Sequence, residues 1–157
     1  IYYGRIIKVK IIIDGDGCAG RDIIEEVGKK HSVKILIYCT INHMINSDYS
    51  EVRMVDGGFQ SVDMYVANNT EENDIVITQD YGVAAMALGK GALAISPRGY
   101  IYDNDNIDRL LFERHLSQKN RRAGGKSKGN HKRNKEDDDR LYYNLEVLIE
   151  KVKAILN

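Results

Sequence analysis

The amino-acid sequence predicts an α/β fold of three layers, in which helices cover both faces of a mostly parallel central sheet. Short runs rich in isoleucine and valine alternate along the chain with stretches of helical periodicity. Those runs are almost continuously apolar, as strands are when both of their faces are buried. The chain has 157 residues, of which 43% are hydrophobic, and this is enough for one buried core.

Five segments are predicted to be strands, because each is short, rich in strand-forming residues and ended by a polar or turn-forming residue. The first is KVKIII, which stops at two aspartates and two glycines, and the second is VKILIY. EVRMV is shorter, DIVIT precedes a Gln-Asp pair, and ALAI stops at Ser-Pro-Arg-Gly. In chain order, the predicted strands occupy residues 8–13, 33–38, 51–55, 74–78 and 92–95.

The segments between the strands carry apolar residues at helical spacing. In chain order, they predict helices over residues 21–31, 59–68, 83–88 and 106–119, and Met64 and Leu116 belong to their apolar stripes. A last helix is predicted from about residue 139, with an apolar seam that reaches Ile155 and aspartates at its N-terminus, where the helix dipole favours them. Strands joined by helices pair in parallel, so their carboxyl ends should share one edge, where ligands bind.

The composition changes near residue 120, where glycine and basic residues replace apolar ones. Such a segment buries too little surface to offset the entropy lost on ordering. We therefore predict an α/β domain over residues 8–120, a flexible linker over 121–138 that is first basic and then acidic, and a C-terminal helix over 139–157. That helix is expected to pack either on its own domain or on a second copy of the chain.

The net charge argues neither for nor against a nucleic-acid partner, because 23 basic residues balance 23 acidic ones. The chain has two cysteines and no CxxC motif, which argues against a disulfide framework and predicts a reducing, cytoplasmic compartment. No apolar run approaches the length of a membrane span, so no membrane partner is expected.

Several aspartates are placed where the active edge of the sheet is expected. Asp14 and Asp16 follow the first strand, Asp80 follows the fourth, and Asp63 lies on the helix between them. If the first and fourth strands are neighbours, Asp14 and Asp80 come close together and Asp63 reaches the same cleft. Each aspartate alone is explained as a turn former or helix cap. Together they favour a site for Mg²⁺ or Mn²⁺, which prefer oxygen ligands and can promote phosphodiester hydrolysis.

Basic and aromatic side chains accompany these acids. Arg98 follows the last strand, where it could hold a phosphate or, equally, pair with a carboxylate. Tyr81, Tyr100 and Tyr102 lie near the same edge and could stack on bases, although core packing explains most tyrosines. The candidates for contact with RNA or DNA in the basic linker are Arg121, Arg122, Lys126 and Lys128. A solvated tether is the ordinary explanation of such a charge run.

Four stretches of the chain resemble a known family. IIIDGDGC, NSDYSEVRMVDGGFQSVDMYVANNT, DIVITQDYGVAAMALGKG and ISPRGYIYDNDNI closely resemble the YaiI/YqxD family of uncharacterised bacterial proteins. That family is regarded as similar to PIN-type nuclease domains, with an acid after the first strand, one on a central helix and a T-x-D motif. Asp14, Asp63 and Thr78-Gln79-Asp80 match those places. The resemblance implies a PIN-like domain over residues 8–120 that cleaves RNA or DNA, with Asp14, Asp63 and Asp80 catalytic and Mg²⁺ or Mn²⁺ as cofactor.

Two other functions remain open from the sequence. IIIDGDG is also the kind of motif that begins haloacid-dehalogenase-type phosphatases, whose first aspartate is a nucleophile. The later motifs of that class are not evident. Alternatively, the domain binds nucleic acid or a protein without catalysis and carries a vestigial acidic site.

Overall fold

A computed structural model describes residues 9–15, 18–55, 61–122, 124 and 132–156, and within them it shows an α/β fold around a six-stranded sheet. In chain order, the strands are β1 Lys10–Asp14, β2 Lys34–Thr40, β3 Glu51–Val55, β4 Ile75–Ile77, β5 Leu93–Ile95 and β6 Ile101–Tyr102. Their spatial order is β3-β2-β1-β4-β5-β6. All neighbours pair in parallel except β5 and β6, so the predicted mostly parallel sheet is confirmed.

Five α-helices are present in the described residues, together with a short 3₁₀ turn at Ile41–His43. In chain order, the helices are α1 Arg21–His31, α2 Val62–Asn69, α3 Tyr81–Gly89, α4 Asn104–Arg122 and α5 Lys135–Leu156. None of these helices is both long enough and apolar enough to span a membrane.

Helices α3, α4 and α5 begin earlier than the apolar pattern predicts, and polar residues cap the first turns of α4 and α5. At the start of α4, Asn106 N donates to Asp103 Oδ1 at 2.7 Å, and Asp103 N donates to Asn106 Oδ1 at 3.0 Å. Asn134 and Asp137 exchange the same pair of bonds at the start of α5, at 3.0 and 3.1 Å. The prediction ignored both caps and therefore placed these two starts too late in the chain.

The predicted linker over residues 121–138 is wrong at both of its ends. α4 continues through Arg122, and α5 has already begun at Lys135. Residues 132–134 lead into the cap of α5, while residues 125–131 lie outside the part that the structure describes.

The sheet separates two apolar cores, because successive side chains of a strand point to opposite faces. Ile11 and Ile13 of β1 face the core that holds α1 and α5, whereas Ile12 faces the core that holds α2, α3 and α4. Leu141 and Leu145 of α5 are fully buried in the first of these cores. The predicted three-layer arrangement is therefore confirmed, and α5 belongs to one of the outer layers.

Three residues that the helical pattern placed inward are exposed. Met64 on α2, Leu116 on α4 and Ile155 on α5 keep 47%, 48% and 59% of their surface accessible. All residues from 112 to 117 are exposed, so that stretch of α4 lies beyond the layer that covers its first turns. Periodicity identifies a helix face but does not say whether another element covers it.

An ion-pair cluster joins α1 to α5. Glu146 Oε2 lies 2.8 Å from Lys30 Nζ and 2.7 Å from His31 Nε2. Hydrogen bonds from Lys30 and then from His31 lower the pKa of the Glu146 carboxyl below its ordinary value of 4.5. The same contact with Glu146 raises the pKa of Lys30 above 10.5. The cluster therefore stabilises the fold while the carboxyl is ionised and the ammonium is protonated.

We expect the Glu146→Gln variant to be less stable than the wild type near neutral pH. The difference should be fully present above pH 4.5 and should shrink as the pH falls through the lowered pKa, because the folded carboxyl then takes up its proton. Urea unfolding of both proteins across an acid pH series measures this. Glu150→Gln, an exposed carboxyl on the same helix, is the matched control. A difference between wild type and variant that persists unchanged in acid would contradict the prediction.

Candidate active site at the carboxyl edge of the sheet

The site is built on two neighbouring parallel strands. β1 and β4 pair directly, with Ile13 opposite Ile77, so their carboxyl ends lie side by side. Asp14 is the last residue of β1, and Thr78-Gln79-Asp80 follows β4. The neighbour relation that the sequence argument required is therefore present.

The Thr78 side chain joins the two aspartates. Its hydroxyl donates to Asp14 Oδ2 at 3.2 Å and accepts the backbone N–H of Asp80 at 3.0 Å. Thr78 is only 1% exposed, so this hydroxyl is held in a fixed position. The arrangement orients the Asp14 carboxylate and the backbone at Asp80 relative to one another.

Asp80 also caps helix α3. Its Oδ1 accepts backbone N–H bonds from Gly82 at 2.8 Å and Val83 at 3.2 Å. The Arg114 guanidinium of α4 lies 3.8 Å from the same oxygen. These contacts are the helix-cap role that the sequence also allowed for this aspartate. They use one carboxylate oxygen, so Oδ2 can serve a ligand, and 36% of the side chain is accessible.

Asp63 lies apart from this pair. It sits in the first turn of α2, where its Oδ1 contacts the Ser61 hydroxyl and accepts the Met64 backbone N–H at 3.1 Å. Across the described ranges, no three His, Cys, Asp or Glu side chains are grouped closely enough to hold a metal ion. Asp16 lies outside those ranges. The described side chains thus bring together Asp14 and Asp80 and do not bring Asp63 to them.

The loop after β1 packs closely on β2. Gly15 donates its N–H to Tyr38 O at 2.8 Å, and a Cβ at this position would lie 2.5 Å from the same oxygen. A side chain there would displace the backbone next to Asp14. Further along the loop, burial raises the pKa of the Cys18 thiol to about 12, although Arg133 acts in the opposite direction. The Cys18 thiol is therefore neutral at physiological pH.

A pocket of about 320 Å³ lies beside Asp80. Gln79 and Tyr81, the residues on either side of Asp80, form part of its wall. Other lining residues are Arg98, Tyr100, Tyr102 and Arg133. Burial, and then the nearby Tyr81 and Asp80, raise the pKa of the Tyr102 hydroxyl, which donates to Thr78 O at 3.1 Å. The pocket and Asp80 therefore share the backbone segment that follows β4.

Arg98 pairs with an acid that the sequence argument did not consider. Its guanidinium lies 3.4 Å from Oδ2 of Asp137, which is buried at the start of α5. Asp137 Oδ1 also accepts a bond from Arg140 at 2.9 Å. The backbones of the two elements are also in close contact at Gly99. A Cβ at this position, where φ is +89°, would collide with the α5 backbone.

The structure describes only part of the predicted basic surface. Arg122 is exposed at the end of α4. Arg121 belongs to the same helix, but its side chain, like Lys126 and Lys128, lies outside the described part of the chain. Sequence reasoning missed Arg133 as a pocket residue, and the only local signal was its place beside the cap of α5.

The fold and the site define an α/β domain with a mostly parallel sheet, two linked aspartates at its carboxyl edge and a mixed aromatic and basic pocket beside them. The model of the uncharacterised YaiI/YqxD family matches residues 12–151, and the chain belongs to this family.

Curated relatives have no assigned activity in their names. A UPF0178 protein of Clostridium perfringens (strain ATCC 13124) is 99% identical over 149 residues, which are 95% of this chain and 100% of the relative. One from Clostridium novyi (strain NT) is 61% identical with the same coverage. Another from Clostridium acetobutylicum is 47% identical over 85% of this chain and 91% of the relative. No solved structure matches the chain significantly.

Proposed function

We propose that this protein is a divalent-metal-dependent nuclease, which hydrolyses phosphodiester bonds of RNA or DNA at the edge that carries Asp14 and Asp80. The observation that supports this most directly is the buried Thr78 hydroxyl, which links the Asp14 carboxylate to the Asp80 backbone. A turn former or a helix cap does not need such a link to a second strand.

Two carboxylates are enough for the proposed ion. Mg²⁺ is commonly held by one or two carboxylates, with water and substrate phosphate oxygens completing its shell. Asp14 and the Oδ2 oxygen of Asp80 are the proposed ligands, and Thr78 keeps Asp14 in place. Bound Mg²⁺ or Mn²⁺ would supply an activated water and stabilise the charge that develops on the phosphate. Asp16 belongs to the proposal as a further acid after β1, and Asp63 as a further acid on α2.

Basic residues are proposed to hold the nucleic-acid backbone. Arg98 lies at the pocket, and the proposed contacts around the end of α4 are Arg121, Arg122, Lys126 and Lys128. Such contacts would make binding weaker as salt increases. The two cysteines, both free thiols, fit the proposed cytoplasmic location. A homo-oligomer formed through α5 stays a proposal, and a measurement of the molecular mass in solution tests it.

The proposed activity is tested with labelled single-stranded RNA, structured RNA, and single- and double-stranded DNA. We expect cleavage of at least one substrate that requires added Mn²⁺ or Mg²⁺ and stops with EDTA. Binding without cleavage on every substrate would favour the second candidate, a non-catalytic nucleic-acid-binding domain. The observation that favours this alternative is that, among the described side chains, no third acid groups with Asp14 and Asp80 closely enough to hold a metal ion.

We expect Thr78→Val to lower Mn²⁺ affinity by about 10- to 100-fold, because outer-shell partners of metal ligands commonly contribute that much. Valine keeps the shape of threonine but neither donates to Asp14 nor accepts from Asp80. Isothermal titration calorimetry with Mn²⁺ measures the affinity.

Thr70→Val is the matched control, since this buried hydroxyl donates to Val66 O, away from the site. It should reduce stability by about 1 kcal/mol and leave the Mn²⁺ affinity unchanged. Equal Mn²⁺ affinity in the wild type and Thr78→Val would show that the hydroxyl does not support a metal site.

A further inference from the structure

The pocket beside the aspartates combines flat aromatic walls with fixed positive charge. Tyr81, Tyr100 and Tyr102 supply the rings, and Arg98 and Arg133 supply the guanidinium groups. Its volume of about 320 Å³ is at the lower end of the range of small-ligand pockets. This composition suits a ligand that is aromatic at one end and anionic at the other.

Arg133 is held rigidly and still lacks one acceptor. Its Nε donates to Asp138 Oδ1 and its Nη1 donates to Pro97 O, each at 2.7 Å. Its Nη2 lies against Gly20 and, within the described residues, is buried without a hydrogen-bond partner. A buried donor without an acceptor is unfavourable, so a turn of the Arg133 guanidinium toward an anionic oxygen in the pocket would satisfy this donor.

Three arginine guanidinium groups meet carboxylates of α5 beside the pocket. Arg98 and Arg140 both pair with Asp137, and Arg133 pairs with Asp138. Because arginine presents its donors in a planar fork, these guanidinium groups suit the oxygens of a phosphate group.

The rings are also held in place. Tyr81 and Tyr102 meet edge to face with centroids 5.9 Å apart, and the Tyr102 hydroxyl is bound to the backbone after β4. The Arg140 guanidinium lies 4.2 Å from the centroid of the Tyr100 ring and covers one of its faces. Tyr100 is 51% exposed, so the ring retains accessible surface on which a base can stack.

We infer that this pocket binds one unpaired nucleotide, with its base against Tyr100 and Tyr81 and its phosphate at Arg98 and Arg133. The inference that this nucleotide belongs to a strand rests on the proposed nuclease function. Gln79 and Tyr81 flank Asp80, so a nucleotide in the pocket brings the neighbouring phosphodiester toward Asp80. The substrate class is therefore single-stranded nucleic acid, because a paired base has no accessible face to offer.

The test measures binding in EDTA, without any divalent ion, by calorimetry. The probes are AMP, adenosine, ribose 5-phosphate, a single-stranded adenylate trinucleotide and a short duplex. AMP should bind more tightly than adenosine or ribose 5-phosphate, because only AMP carries both the base and the phosphate. Tighter binding of the trinucleotide than of AMP identifies a strand as the source, and equal binding identifies a free nucleotide. The duplex should bind least.

Variants assign the binding to the pocket. Tyr100→Ala and Arg133→Gln should each weaken AMP binding by about 10-fold or more, since loss of base stacking alone has effects of this order. Tyr143→Ala and Arg109→Gln, on exposed tyrosine and arginine side chains elsewhere on α5 and α4, are the matched controls and should bind AMP as the wild type does. Circular dichroism verifies that Arg133→Gln still folds, and the half-exposed Tyr100 gives a second variant with less effect on folding.

No AMP binding at millimolar concentration, or equal binding by wild type, Tyr100→Ala and Arg133→Gln, overturns the inference. The outcome is separable from the nuclease proposal, because Asp14→Asn should bind AMP in EDTA as tightly as the wild type. AMP binding by a wild-type protein that shows no metal-dependent cleavage of any substrate would reject the nuclease proposal and leave the pocket inference. Cleavage without AMP or trinucleotide binding would reject the pocket inference and leave the nuclease proposal.

Discussion

The Asp14→Asn variant is expected to lose metal-dependent cleavage by more than about 100-fold, because even outer-shell partners of metal ligands are worth about 10- to 100-fold. Asparagine keeps the shape of aspartate and can still accept the Thr78 hydroxyl bond. The change removes the negative charge that a divalent ion requires while preserving the fold. Asp80→Asn should behave alike, since asparagine is also a good N-cap for α3.

Mn²⁺ titration calorimetry and cleavage rates on the same samples provide the measurement. Asp108→Asn, an exposed position on α4, is the matched control and should match the wild type in both. Unchanged metal affinity in Asp14→Asn and Asp80→Asn together would eliminate the metal site. Asp63→Asn then decides separately whether the acid on α2 takes part.

Leu145→Ala is expected to destabilise the protein by about 2–5 kcal/mol, the usual range for a buried leucine that leaves a cavity. Leu145 is fully buried in the core shared by β1, β4, α1 and α5. Polar contacts hold the same helix, because Asn144 Nδ2 donates to Gly99 O at 2.7 Å and Arg140 donates to Arg98 O at 3.0 Å. Loss of packing in α5 should therefore loosen the whole domain.

Urea unfolding measures the change in the free energy of unfolding. Val147→Ala on the same helix, 39% exposed, is the control and should stay within about 0.5 kcal/mol of the wild type. The loss in Leu145→Ala should be the same at two protein concentrations about 100-fold apart, since a helix packed within its own chain has no dependence on dimerisation. A loss as small as that of Val147→Ala would contradict the observed docking of α5.

Local sequence signals could have predicted more of the fold than the apolar pattern did. The caps formed by Asp103 with Asn106 and by Asn134 with Asp137 involve residues three positions apart, so they are readable from the sequence. The exposure of Leu116 is different, because it depends on which elements lie over α4. Strand β6 has only two residues and pairs antiparallel, which is too short a segment for a periodic pattern.

The sequence by itself determined the alternation of buried strands and helices, and it placed Asp14 and Asp80 after their strands. Both properties depend on neighbouring residues, and parallel strands bring their carboxyl ends to one edge. Only the tertiary structure decided that Arg98 meets Asp137, that Arg133 joins the tyrosine pocket and that Asp63 stays apart. Arg98 and Asp137 are 39 positions apart in the chain, so their contact exists only because α5 docks against the β5–β6 turn.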